Sequence, residues 1–372
     1  MVIPDCQNFT GYKPCKAGTT CIDACVDPRP RGKQVLIVNL EAMGNVLVTT
    51  SLLPALKRKH PVSTIHWITL KNSAPLLQGN PLVDRVHLWD AESWLLLQAL
   101  QFDIIINVDK SVRAGSLVAL LRGRKKLGYG INDRGVIIPL NQEAEYNYRL
   151  GLDDHLKFRV NNKPNTQLLA EAAGLRYSRD EYILVLSKEE ENFCDQYRQR
   201  HSLHDAGLVV GFNTGCSLLY PNKKLSIEQH VVLLRALAEY PDIRPVLLGG
   251  PEDTERNTEI ARQAGPAVLH TPTTEGVRRG ICYENVCDVV VSGDSFGMHV
   301  AIGLKKQVIA WFGVSCPQEI DLYDRGIKLV PDGLACSPCW KHECPYNLEC
   351  VQMVDLDKII GEILRLRRLR AG

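Results

Sequence analysis

Residues 288–313 read DVVVSGDSFGMHVAIGLKKQVIAWFG. Val289 to Ser292 favour a strand and run into a polar loop, Gly293-Asp294-Ser295-Phe296-Gly297. Met298 to Leu304 then fit a short apolar helix, and Val308 to Phe312 a second strand. Strand, loop, helix, strand is the grammar of a parallel α/β sheet. The loop falls where a strand hands over to a helix N-terminus. Unpaired backbone N–H groups and the positive helix end gather there and favour anions. Open α/β sheets bind ligands at the carboxyl ends of their strands. A plainer role fits the same residues, in which Asp294 or Ser295 caps the helix.

Working outward, the same alternation fills the chain. Toward the N-terminus, Leu208 to Asn213 predicts a strand ending in Asn213-Thr214-Gly215-Cys216. A helix over Ile227 to Glu239, a strand over Val246 to Leu248, a helix over Thr254 to Ala264 and a strand near Ala267 to Leu269 follow. An earlier half opens with Gln34 to Leu40, a strand buried on both faces, then Glu41-Ala42-Met43-Gly44-Asn45 and one helix from Val46 to His60. Strands are predicted at Thr64 to Leu70, Arg85 to Leu88, Asp103 to Val108 and Lys126 to Tyr129, with helical stretches between them. Glu143 to Lys163, polar and aromatic, reads as a loop crossing or lining a cleft. The fold class is therefore α/β, with two Rossmann-like doubly wound domains and a cleft between them. The boundaries read as a Cys-rich arm at 1–31, a first Rossmann-like domain at 32–185, a second at 186–352, and an amphipathic helix at 353–372.

Length supports two domains: 372 residues exceed one ordinary domain, and 45% apolar content allows each a core. A formal charge of +2 excludes a dedicated nucleic-acid binder, which carries a strong basic excess. The one basic run, Arg365, Arg367, Arg368 and Arg370, lies on the terminal helix. It fits a solvated surface face or contact with anionic lipid head groups. No apolar run of about 18 residues occurs, so no membrane span is expected. The start, MVIPDCQNF, lacks the basic and apolar regions of a signal peptide, and a cytoplasmic location is expected.

Thirteen cysteines in a reducing compartment are not expected to form stable disulfides. Cys6, Cys15, Cys21 and Cys25 sit in a segment too poor in apolar residues to build a core. Four thiolates on one metal would supply the missing folding energy, and a flexible arm with incidental cysteines is the other reading. Cys336, Cys339, Cys344 and Cys350 are spaced C-x2-C-x4-C-x5-C. That compact spacing suits a knuckle holding structural zinc, iron or an iron–sulfur cluster, against a reading as redox-linked loop cysteines.

Three strand ends of the second half would converge on one crevice. Asn213-Thr214-Gly215 is a small-residue turn whose N–H groups could meet a phosphate. Lys223, just ahead of a helix, could neutralise a diphosphate. Gly250 and Glu252 follow the next strand, where an acid accepts from ribose hydroxyls. Asp294 and Ser295 would face a sugar or phosphates, and His299 on the first helical turn could bond a phosphate oxygen.

This ordered set resembles the family 9 glycosyltransferases, which include the bacterial ADP-heptose:lipopolysaccharide heptosyltransferases. The resemblance spans roughly residues 33–355. It rests on VLIVNLEAMGNVLVTTSLLPALKRKHP, NTGCSLLYPNKKLSIEQH, VLLGGPED, GDSFGMHVAIGL and CSPCWKHECPYNLEC. It implies a GT-B fold with acceptor held by the N-terminal domain and nucleotide-sugar by the C-terminal domain. It implies inverting transfer without a divalent metal, from an ADP-heptose donor to a lipopolysaccharide core or other surface glycan. By resemblance, Thr214 and Lys223 bind the diphosphate, Glu252 the ribose and Asp294 the heptose hydroxyls. Ser295, Phe296, Gly297, Met298 and His299 contact the phosphates. The implied location is cytoplasmic, peripheral on the inner membrane face if the basic helix meets lipid.

Two positions depart from the family pattern. Its general-base Asp is replaced here by Asn45, and an amide has no useful basicity. Glu41 is the nearest carboxylate. Phe296 stands where a glycine is usual, and could stack on the sugar or narrow the pocket. The leading reading is a glycosyltransferase. A catalytically impaired sugar-nucleotide-binding or assembly protein is the second, and a GT-B epimerase the third.

Overall fold

The computed structural model describes residues 3–15, 18, 20–22, 25 and 27–371. The chain divides into two compact units. One runs to Leu152 and takes in Thr166–Asp180; the other joins Asp153–Asn165 to the chain from Glu181 onward.

The first unit holds β1 (Lys33–Val38), β2 (Ser63–Thr69), β3 (Arg85–Leu88), β4 (Gln101–Asn107), β5 (Arg122–Ile131) and β6 (Ile137–Pro139). They form one sheet in the order β3-β2-β1-β4-β5-β6. All neighbours are parallel except β5 and β6. Val35, Leu36, Ile37 and Val38 have no exposed surface. A central parallel strand is covered on both faces, which is why its sequence is continuously aliphatic.

The second unit repeats the plan with β7 (Leu208–Asn213), β8 (Ile243–Leu248), β9 (Leu269–His270), β10 (Val289–Gly293), β11 (Gln307–Trp311) and β12 (Gly326–Leu329). Their order is β12-β11-β10-β7-β8-β9, all parallel. Counted from each unit's own first strand, both sheets have the doubly wound order 3-2-1-4-5-6. Strand order reverses between β7 and β10, so ligands are expected at their carboxyl ends. The terminal helix Leu356–Ala371 buries Ile359, Ile363 and Leu366 against the core of this unit. Its arginines are tied down in part: Arg367 pairs with Asp242 at 2.7 Å, and Arg370 with Asp288. Among the described residues no helix is long and apolar enough to cross a membrane.

Three local readings change. The helix expected over Val46 to His60 is two, Met43–Thr49 and Leu52–Lys59. Pro54 has no N–H for the Thr50 carbonyl, and the junction closes instead through i→i−3 bonds from Thr50, Ser51 and Leu53. The expected loop from Glu143 to Lys163 contains the helix Gln142–Leu150 and a π-turn, Leu156–Val160. Ala144 and Tyr148, four residues apart, pack on Tyr129 and Ala172 and give that helix a buried stripe. The helix Lys188–Arg200 has so few apolar residues that its period is faint. Its start is nonetheless set by a capping box between Ser187 and Glu190.

Candidate functional site

In the second unit the ends of β7, β8 and β10 bring several of the expected residues together. Asn213 is the tie between them. Its amide donates to Ser295 Oγ at 2.7 Å, Ser292 Oγ at 3.1 Å and the Gly215 carbonyl at 3.3 Å. Gly297 completes the fit, because a Cβ there would lie 2.6–2.8 Å from the Asn213 amide. The helix Phe296–Gly303 begins at this point, so its first-turn N–H groups have no acceptor within the helix.

Beside that helix end sits the charged centre. Lys223 Nζ donates to Asp294 Oδ2 at 2.8 Å, and each side chain keeps only 11% of its surface exposed. His299 Nε2 is 4.0 Å from the other carboxylate oxygen. Burial, the largest single influence, would raise the Asp294 carboxyl; the Lys223 ammonium, the His299 ring and hydrogen bonds together outweigh it and hold the group below the usual carboxylate range. Burial lowers His299, so its imidazole is neutral at pH 7, and its Nδ1 is buried without a hydrogen-bond partner. A neutral ring beside an ammonium can offer one further hydrogen bond to a ligand oxygen.

Other expected residues are placed differently. The Thr214 hydroxyl is fully buried and donates to Asn257 Oδ1 at 2.5 Å, so it braces the loop from within. Met298 has no exposed surface and belongs to the core. Gly250 donates its N–H to Asp253 Oδ2 at 2.9 Å, while Glu252 projects into solvent. Phe296 is half-buried at the start of its helix.

Asp253 is a residue sequence reasoning passed over. It fills the space behind Gly215, where a Cβ would come within 1.9 Å of its carboxylate. Arg256, also missed, donates to the carbonyls of Thr214 and Leu225. Their signal was weak, since an Asp and an Arg opening a helix read as ordinary first-turn and surface charges.

The four C-terminal cysteines line one pocket with Asn222, Gly313 and Val314. Burial, then the neighbouring thiols, pushes Cys350 up to about 11. Yet among the described residues no three His, Cys, Asp or Glu side chains are arranged to hold a metal ion. The described residues thus give no support to the expected metal centre at Cys336, Cys339, Cys344 and Cys350, or at Cys6, Cys15, Cys21 and Cys25. Hydrogen bonds tie both cysteine-bearing segments to their surroundings. Cys339 and Trp340 donate their N–H groups to the Val314 carbonyl at 3.0 and 2.9 Å, and Ser337 Oγ donates to Gly313 at 2.6 Å. In the N-terminal arm, Arg31 and Arg85 hold the carbonyls of Phe9 and Gln7 at 2.7 and 2.8 Å.

In the first unit, β1 leads through a short loop carrying Glu41 into the helix Met43–Thr49. Asn45 is exposed on the helix Met43–Thr49. Glu41 is half exposed and paired with Arg113. Close to Glu41 lies Asp109, 7% exposed just past the end of β4 and absent from the sequence reading. Its oxygens accept from Asn39 Nδ2 at 2.6 Å and the Leu40 N–H at 2.5 Å. Burial pushes its carboxyl up to about 6 despite those bonds.

Known proteins share this plan. Residues 93–349 match the model of glycosyltransferase family 9 (heptosyltransferase). The lipopolysaccharide core heptosyltransferase OpsX of Haemophilus influenzae is 21% identical over 304 residues, 77% of this chain and 80% of that protein. The structure of a family 9 glycosyl transferase from Veillonella parvula aligns with TM-score 0.71 and 17% identity, covering 90% of this chain and 97% of that one. E. coli ADP-heptose lps heptosyltransferase II aligns with TM-score 0.67 and 17% identity, covering 91% and 100%. These structural likenesses are of fold, the GT-B pairing of two parallel-sheet α/β domains. The family match over most of the chain settles the rest: the chain belongs to glycosyltransferase family 9.

Proposed function

We propose that the protein transfers a heptose, or a related sugar, from a nucleotide diphosphate to a hydroxyl of a lipopolysaccharide core or other surface glycan. The observation that carries this is the buried Lys223–Asp294 pair at the N-terminal end of the helix Phe296–Gly303. A lysine and a helix terminus at one point suit a diphosphate, and a carboxylate beside them suits sugar hydroxyls. ADP-heptose is the donor the relatives suggest.

In the proposed reaction the acceptor oxygen attacks the anomeric carbon from the face opposite the diphosphate. The new C–O bond forms as the bond to the diphosphate breaks, inverting that centre. Negative charge grows on the leaving diphosphate, where Lys223 and the helix N–H groups meet it. In this reading they take the part of a divalent ion. The acceptor proton must reach a base. Asn45 cannot accept it, so the role falls to Glu41, an exposed carboxylate on the loop just ahead of the Asn45 helix, steered by Arg113.

Turnover of ADP-heptose with a lipopolysaccharide-core acceptor tests the reading. Wild-type transfer is expected, with Glu41→Gln lowering kcat about 10²- to 10⁴-fold while ADP binding stays unchanged. Asn45 favours a second reading, a sugar-nucleotide binder without transfer. That reading gains if the chain binds ADP tightly, transfers nothing, and begins transfer as Asn45→Asp. Sugar turnover in the absence of any acceptor would point instead to epimerase chemistry.

A further inference from the structure

The cysteine-rich loop reaches into the donor site. Between Cys339 and Cys344 it carries Trp340, whose backbone is held at φ 50. A bulky side chain seldom occupies that left-handed region, and such strain is kept where the surroundings over-determine it. Here they do. The Trp340 N–H is tied to Val314, the Lys341 carbonyl accepts from Asn222 Nδ2 at 2.9 Å, and His342 Nδ1 donates to the Leu219 carbonyl at 2.6 Å. His342 also stacks on Tyr220 at 4.3 Å, and Tyr220 meets Trp340 edge-on at 5.4 Å.

These contacts aim the indole at cations. Lys223 Nζ lies 4.2 Å from the centre of the Trp340 ring and 4.9 Å from that of Tyr220. Lys157 Nζ, from the π-turn Leu156–Val160, lies 4.3 Å from the same Trp340 ring. The two ammonium nitrogens are therefore no farther apart than the sum of their distances to that ring. Arg159, on the same turn, donates to the carbonyls of Ser337 and Ala335 at 3.1 and 2.7 Å, fixing the turn to the loop. Each lysine has a buried carboxylate nearby, Asp294 at 2.8 Å and Glu319 at 3.9 Å. The ring is thus the common seat of two positive charges beside the helix terminus.

We propose that Trp340 is a positioning residue of the donor site, its indole seating the Lys223 ammonium and bringing Lys157 to the same diphosphate as a second cationic contact. This rests on the donor reading given above and deepens it. The cysteine-rich loop is then the scaffold that presents the ring, and Lys157 brings the Asp153–Asn165 segment into nucleotide recognition.

Calorimetric titration of the full chain with ADP, alongside donor KM and kcat, tests it. Trp340→Leu keeps apolar bulk and removes the π face; it should weaken ADP binding and raise donor KM about tenfold, and lower kcat as well, since Lys223 also meets the charge on the leaving diphosphate. Trp340→Phe keeps a π face and should stay within about threefold of wild type. Lys157→Met changes no residue of the cysteine-rich loop and should weaken ADP about fivefold or more, with a shallower dependence on salt. Equal impairment by Leu and Phe would reduce Trp340 to packing and overturn the proposal. So would wild-type ADP affinity in Trp340→Leu or in Lys157→Met. If Trp340→Leu does not fold, Trp340→Phe and Lys157→Met decide. A wild-type chain that binds no nucleotide diphosphate would sink the donor reading itself, before any variant is compared.

Discussion

Asp109 shows how a residue acquires chemistry from its surroundings. Its oxygens are occupied by Leu40 and Asn39, and its carboxyl is pushed from 3.8 up to about 6 by burial. In the unfolded chain it ionises near the ordinary value. Between roughly pH 4 and pH 6 the native state therefore holds a proton that the unfolded state has released, and native stability falls as pH rises through that window. A shift of this size corresponds to about 3 kcal/mol. Asp109→Asn removes the titration. The stability of wild type relative to this variant should fall by about that amount from pH 4 to pH 7, as read from urea midpoints at each pH. A difference that is flat with pH would show that Asp109 titrates normally. Sequence reading had no access to this residue, because Asn107-Val108-Asp109 carries no sign of what closes over it. It did single out Lys223, Asp294 and His299; strand order puts Asp294 and His299 at the carboxyl end of β10, and the turn Pro221–Lys223 brings the lysine to them. It assigned Thr214 and Met298 a surface they do not have, since a loop's sequence does not say which side chains turn inward.

At the scale of elements, the legible parts were those whose patterns had one physical cause. The aliphatic runs of β1, β7 and β10 became central parallel strands, because only such strands are covered on both faces. Helices with sparse apolar positions, such as Gln142–Leu150 and Lys188–Arg200, were missed or taken for loop, and the short edge strands β6 and β12 have no pattern long enough to read. The terminal helix was legible as amphipathic, and the structure shows what its apolar face meets. Ile363 is fully buried against the second core, whereas Leu369 is 66% exposed. Ile363→Ala should cost about 2–5 kcal/mol and Leu369→Ala less than about 0.5 kcal/mol, measured as shifts in denaturant midpoint. Similar small losses at both positions would mean that the helix is not docked in solution.

The whole molecule consists of two units of one strand order, each with a separate core: Leu36, Phe102 and Ile105 in the first, Phe212, Leu247 and Ile309 in the second. The charged site at the helix Phe296–Gly303 belongs to the second unit, and Glu41 with the helix carrying Asn45 to the first. If the donor binds as proposed, ADP should therefore stabilise one unit selectively. At one hundred times its Kd a ligand adds about 2.7 kcal/mol to the stability of the state it binds. For a unit of this size that is a rise of about 5–10 °C in melting temperature. Hydrogen exchange read peptide by peptide locates the effect even where the two units melt together. Slowed exchange is expected at the ends of β7, β8 and β10 and around Trp340, with β1 to β6 unchanged. Protection centred on β1 and β4 would place the nucleotide on the first unit and reverse the assignment of donor and acceptor.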